Sequence, residues 1–138
     1  MDPMEIVRTN EDQFNDRSFR EKAEQVTAAS ITVIDAPADR EHQGVDGYKQ
    51  YREGLIAALP DIQESMADLK VSGNKVTANV RRTGTFTGEM PTPDGTVPGN
   101  GKKLDIICQC EWEIEDDKIT RFTENYDMQD LMSQLGMG

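Results

Sequence analysis

The closing stretch 117–138, DKITRFTENYDMQDLMSQLGMG, decides how the rest of the chain is read. It reads as the end of a turn, a strand running to about Tyr126 and a short closing helix. Side chains alternate along a strand, so Phe122, Glu124 and Tyr126 share one face. A carboxylate on an otherwise apolar face is either a paired acid of the core or a working acid/base group. The residues ahead of it show which face is interior.

Residues 104–115 form the longest alternation in the chain. Leu104, Ile106, Cys108, Cys110, Trp112 and Ile114 lie on one side, and the other side, Asp105, Gln109, Glu111, Glu113 and Glu115, is polar and mostly acidic apart from Ile107. In residues 75–87, Val76, Ala78 and Val80 oppose Lys75, Asn79 and Arg81, and Arg82 continues the apolar series. Arg82 and Glu124 are therefore the two ionisable residues predicted on interior strand faces. Burying either alone would cost several kcal/mol, so each must be paired, neutralised or set in a hydrated cavity.

The remaining elements follow from punctuation and period. Residues 4–14 carry a narrow apolar stripe behind an Asp2-Pro3 start, which predicts an amphipathic helix. Ser18 with Glu21 reads as a capping box for a second short helix over 19–26. SITVID, residues 30–35, reads as a strand. Residues 38–47 read as a polar loop holding His42, the only histidine, as a solvated residue. Residues 46–59 give the clearest helix, capped by Asp46, with Tyr48, Tyr51, Leu55, Ile56 and Leu59 on its apolar stripe before Pro60. Residues 62–71 are a further strand, and the Pro- and Gly-rich segment 88–103 reads as a mobile flap. The order predicts an α+β fold: a curved, mostly antiparallel sheet forming a cone closed by N-terminal helices.

Bulk properties narrow the function. The chain has 138 residues, the length of one domain, and a net charge of −11, which argues against a nucleic-acid partner. No apolar run reaches the length of a membrane helix and no charged-then-apolar leader opens the chain, so no membrane partner and a cytoplasmic location are expected. Cys108 and Cys110 point the same way along a strand, poorly placed to bridge, and a C-x-C with one histidine makes a poor metal site. Buried, reduced thiols are expected, with no metal and no cofactor.

Three stretches carry a family resemblance. DKITRFTENYDMQDLMSQLG resembles the end of SnoaL-like polyketide cyclases, with a turn-Lys-Ile strand leading through an acidic position to an Asp and a Leu-rich helix. GVDGYKQYREGLIAALPDI is similar to the family's helix that opens on Gly and closes on Pro-Asp, and TGTFTGEM to its Thr-Gly strand end. The resemblance implies the nuclear-transport-factor-2-like cone, a homodimer packed through the outer sheet surface, and cofactor-free intramolecular aldol chemistry on a polyketide ester. It places the family's acid/base aspartate at Glu124, with Asp127 as second candidate, and its supporting histidine at Cys110. The chain departs from the family pattern at Cys110, and also at Phe122 and Thr123, where His and Trp are common.

Glu124 in a mostly apolar pocket would take a proton from carbon next to a carbonyl, with Arg82 or Tyr48 holding the enolate oxygen. Asp127 reads equally as the cap of the last helix. The expected substrate-binding set is Asp35, Tyr48, Tyr51 and Arg82 with Cys110, Trp112, Phe122 and Tyr126, around a hydrophobic small molecule. Two further readings stand beside an enzyme: a non-catalytic binder of an apolar ligand with Arg82–Glu124 as a buried pair, and a dimeric structural domain with a filled interior.

Overall fold

The computed structural model describes residues 1–92 and 94–137. In chain order it contains α1 (Pro3–Asn15), α2 (Phe19–Lys22) running into a 3-10 turn, β1 (Thr27–Asp35), β2 (Arg40–Gln43) and α3 (Gly44–Ala58). These are followed by β3 (Gln63–Ser72), β4 (Lys75–Thr85), β5 (Glu89–Thr92), β6 (Gly95–Pro98), β7 (Lys103–Glu115), β8 (Lys118–Asn125) and α4 (Met128–Gln134). Six strands form one sheet in the order β2-β1-β8-β7-β4-β3. Among the described residues only the β1–β8 pair is parallel.

The parity argument holds along the central strands. Val76, Ala78, Val80 and Arg82 are buried on β4, and every second residue from Leu104 to Ile114 is buried on β7. Register shifts break the ladders between Ala67 and Lys70, between Glu113 and Ile114, and between Thr27 and Thr32. Each such irregularity bends its strand, and together they curve the sheet around the core. Ile6, Val7 and Phe14 from α1, Tyr48 and Tyr51 from α3, and the inner faces of β1, β4, β7 and β8 pack into that one core.

Several local expectations are corrected. Asp46 does not cap α3: the helix begins at Gly44 behind Gln43, which places Asp46 in the first turn. Ser18 makes no side-chain cap because its backbone is already helical; Asp16 instead accepts from the Ser18 amide at 2.8 Å. The predicted loop 38–47 contains β2, which pairs antiparallel with β1 from Thr32↔Gln43 to Asp35↔Arg40. Asp2 does cap α1, accepting from the Glu5 amide at 2.9 Å.

The segment read as a loose flap is a paired hairpin, β5 with β6, although Pro93 at its tip lies outside the described residues. Its root is held closely. The Gly88 amide donates to the Ala58 carbonyl at 3.2 Å, and the Gly99 amide to the Gly88 carbonyl at 2.7 Å. A Cβ on Gly88 would lie 1.7 Å from the Ala57 carbonyl oxygen, so no side chain fits there unless the hairpin moves off α3. We expect Gly88→Ala to lower the melting temperature by several degrees, read by circular dichroism, because backbone rather than a flexible side chain must give way.

Candidate functional site

A cavity of about 730 Å³ opens between the sheet and the elements that cover it. Tyr51, Leu55 and Ala58 line it from α3, Met90 and Val97 from the hairpin, and Met128, Leu131 and Met132 from α4. Its floor is polar: Asp35 from β1, Arg82 from β4, Glu124 from β8, and Tyr126 just beyond β8. The parallel register sets Asp35 directly beside Glu124, so the two carboxylates stand as neighbours on one face.

Glu124 is 1% exposed, but its surroundings are not the apolar ones expected from sequence. Its Oε2 accepts from the Tyr51 hydroxyl at 2.6 Å and from Arg82 Nη2 at 2.8 Å. Both bonds go to that one oxygen; among the described residues Oε1 has no hydrogen-bond partner. Arg82 Nε also donates to Glu64 at 2.7 Å. Glu64 in turn accepts from Arg52 Nη1 at 3.2 Å, and Arg52 Nη2 donates to Glu11 at 3.1 Å. The result is a buried ladder, Glu11–Arg52–Glu64–Arg82–Glu124, with alternating charge and five different elements contributing one rung each. Arg52 is further enclosed by aromatic rings, its guanidinium carbon 4.2 Å from the Phe14 centroid.

Three carboxyls and two guanidiniums leave one negative charge too many for a dry interior. Burial, reinforced by the adjacent Glu64 carboxylate, raises the Glu11 carboxyl well above the ordinary glutamate value. Its Oε2 has no partner among the described residues. Burial alone would raise Glu64 too, but Arg82 and Arg52 outweigh it and bring Glu64 down to about 2. The ladder is thus neutral when Glu11 carries a proton.

Asp35 differs from both. It is half-buried, accepts from the Tyr126 hydroxyl at 3.0 Å and from the Ala38 amide at 3.4 Å, and has no guanidinium partner among the described residues. Burial, followed by the nearby Glu124 charge, raises its carboxyl above the usual aspartate value. His42, expected as a solvated loop residue, lies on β2, lines the cavity, and stacks its ring 5.5 Å from that of Tyr51.

Of the ten residues singled out from sequence, the cavity gathers Asp35, Tyr51, Arg82, Glu124 and Tyr126. Asp127 is exposed and caps α4, accepting from the Asp130 amide at 3.1 Å, and does not line the cavity. Tyr48 is buried away from it, its hydroxyl accepting from Asn10 at 3.0 Å and from Arg52 at 3.3 Å. Trp112 and Phe122 stack on each other in the core, with ring centroids 5.4 Å apart. Cys110 borders a smaller depression of about 320 Å³ beside Asn79, Gln109 and Thr123 instead of the cavity. Burial holds both thiols up, Cys108 to about 12 and Cys110 well above its ordinary value. Among the described residues no cluster of three or more His, Cys, Asp or Glu side chains could hold a metal ion, and no helix is long and apolar enough to cross a membrane.

The family model for SnoaL-like polyketide cyclase matches residues 4–135. Among solved structures, a candidate SnoaL-like polyketide cyclase of Jannaschia sp. CCS1 is 17% identical with a TM-score of 0.85, over 99% of this chain and 92% of that one. A SnoaL-like polyketide cyclase of Agrobacterium tumefaciens is 19% identical with a TM-score of 0.79, over 99% of each chain. A protein of Catenulispora acidiphila with a ketosteroid isomerase-like fold, in complex with trimethylamine, is 16% identical with a TM-score of 0.78, over 97% and 94%. None of the curated proteins matches.

The ladder gives two pH dependences of opposite sign. Glu64 is depressed in the folded state, so its contribution is present above the unfolded value near 4.3 and is lost as pH falls toward 2. Glu11 is raised, so its contribution is present below about 4.3 and is lost as pH climbs toward its folded value. We expect Glu11→Gln to gain stability relative to wild type as pH rises from 4 to 7 in urea titrations. Loss over that range would mean that Glu11 is an ionised partner of Arg52. Glu64→Gln should cost about 3–5 kcal/mol at neutral pH, because it leaves two buried guanidiniums short of charge.

Proposed function

The chain belongs to the SnoaL-like polyketide cyclase family, and on that premise we propose that it is a cofactor-free acid/base enzyme acting on a hydrophobic, carbonyl-bearing small molecule. The observation that carries this reading is the presence of two neighbouring carboxylates and a guanidinium on the floor of a cavity whose walls from α3, the hairpin and α4 are largely apolar. A floor carboxylate takes a proton from carbon next to the carbonyl. Arg82, whose Nη1 makes no hydrogen bond among the described residues, is the donor for the oxygen on which charge develops. Tyr48, the alternative donor from sequence, does not line the cavity; its hydroxyl accepts from Asn10 and Arg52 in the core.

The wall supports the substrate class. Met90, Met128, Met132 and Met137 supply flexible, polarizable side chains that fit irregular apolar shapes. The volume falls in the range of ordinary small-molecule pockets.

The second reading, a non-catalytic binder of a hydrophobic ligand, is favoured by one specific observation: Arg82 and Glu124 form the buried pair it calls for, at 2.8 Å. Hydrogen exchange in D2O separates the two. Incubating the protein with a panel of hydrophobic ketones and β-keto esters should deuterate the carbon next to the carbonyl, read by proton NMR, above the buffer rate. Binding without exchange across the panel would favour the binder.

We further propose a homodimer through the outer sheet surface in the cytoplasm. Its acidity is already offset within one chain, by the Arg81–Asp105 pair at 2.6 Å and by Lys75 and Arg121, each 3.7 Å from Glu113. Exposed Ile107 lies among these pairs. Sedimentation at low and high salt should therefore give the same dimer; a monomer that dimerises only in salt would show unrelieved repulsion.

A further inference from the structure

We infer that Asp35, rather than Glu124, is the group that takes and returns the substrate proton, and that Glu124 is its positioning partner, fixing Arg82 and setting the proton affinity of Asp35. The inference rests on the acid/base reading above and assigns its base.

The two carboxylates are bound differently. Glu124 is tied by the Tyr51 hydroxyl and by a guanidinium that Glu64 also holds, so a proton on Glu124 would undo a charge-assisted bond at the end of the buried ladder. Asp35 lies beside it across the parallel β1–β8 pair, lines the same cavity, and among the described residues is held by neutral donors alone, the Tyr126 hydroxyl and the Ala38 amide. Protonating Asp35 disturbs no ion pair and relieves the like charge of Glu124. Of the two adjacent carboxyls, Asp35 is therefore the one whose protonation leaves the buried ladder intact.

The other groups facing Asp35 are accounted for. Glu124 adjoins it from β8, Tyr126 follows β8, and Arg82 comes from β4, each acting on the Asp35 carboxyl. Arg40 and His42 on β2 and Asp94 on the hairpin complete the charged or titratable lining of the mouth. The burial of Asp35 and the charge of Glu124 both raise its carboxyl, in the direction a base working near neutrality requires.

The step balances without a co-reactant. The Asp35 carboxylate forms an O–H bond as the substrate C–H bond breaks, and the electron pair moves into a C=C bond with the charge on the former carbonyl oxygen, beside Arg82. The carbon then either recovers the proton or attacks a second carbonyl, and the resulting alkoxide takes the proton back from Asp35.

The test combines D2O exchange across pH with carbon-13 NMR titration of labelled aspartate carboxyls, on wild type, Asp35→Asn, Glu124→Gln and Tyr126→Phe. Asp35→Asn should cut exchange by about 100-fold or more while substrate still binds and the melting temperature stays within a few degrees. Glu124→Gln should move the Asp35 titration midpoint down, and the acidic limb of the exchange profile with it. If Glu124→Gln does not fold, Tyr126→Phe carries the test, because removing the neutral donor should move both upward while leaving the Arg82 pair intact.

Exchange retained within threefold in Asp35→Asn would overturn the assignment, as would an Asp35 midpoint that neither variant moves. Absence of exchange by the wild type on every ketone would count against the enzyme reading itself. The NMR arm then still decides the electrostatic half: an Asp35 midpoint at the ordinary aspartate value overturns it, and an elevated one that falls in Glu124→Gln supports it.

Discussion

Arg82 is the interaction on which the rest of the structure depends. A guanidinium cannot give up its charge, so once β4 turns Arg82 inward it must be met by carboxylates. Glu64 meets it from the neighbouring edge strand and Glu124 from across β7. Glu64 then needs a second cation, which α3 supplies as Arg52, and Arg52 reaches Glu11 on α1. Asn15 secures the same corner, its side chain pairing with both the Glu64 amide and carbonyl at 2.8 Å. Neither α1 nor α3 can slide over the sheet without orphaning a buried charge. Such a ladder adds little net stability over an apolar core of equal volume, but it ties the elements to one mutual arrangement.

That arrangement divides the interior of the cone. At one end α1 packs down, and Phe14, Trp112 and Phe122 belong to a closed core. At the other end α4 and the hairpin stand off the sheet, and the cavity opens between them. Glu124 sits where the two meet, tied to the ladder through Oε2 and counted in the lining of the cavity. Asp35 lies one strand further out and makes no ion pair with a guanidinium among the described residues. The proposed chemistry uses this difference: the ladder fixes the charges, and the carboxyl outside it is free to change its own.

Strand parity read the sheet well. It put Arg82 and Glu124 inside and predicted the paired alternative for them. The same rule extended to β3 places Glu64 inside, between buried Ile62 and half-buried Met66, and helical spacing does the same for Glu11 and Arg52, each four residues from a stripe residue, Val7 and Tyr48. A charged residue on a helical stripe is hard to tell in sequence from the margin of the polar face. Parity tells inside from outside but not which end of the cone a residue occupies. For that reason Tyr48, Trp112 and Phe122 were rightly placed in the interior and yet do not line the cavity. β2 was hidden by its composition, four polar residues whose pairing is set by β1, and His42 went with it. The hairpin looked loose because prolines and glycines punctuate it, whereas Gly88 and Gly99 are there for close backbone approach at its root.

The missing histidine finds its explanation in the same geometry. Cys110 lies opposite Glu124 in register, but its thiol is held neutral by burial and borders a different depression. An imidazole there would have competed with Arg82 for Glu124, in a core whose charges already balance once Glu11 is protonated. A small apolar side chain at Cys110 is therefore what a ladder-bound Glu124 requires. In the proposed chemistry the acid/base role passes to a carboxyl outside the ladder, and the only imidazole of the chain lies against the Tyr51 ring. Fold membership leaves such reassignment open, since the cone fixes where a cavity forms and not which residue on its floor gives up a proton.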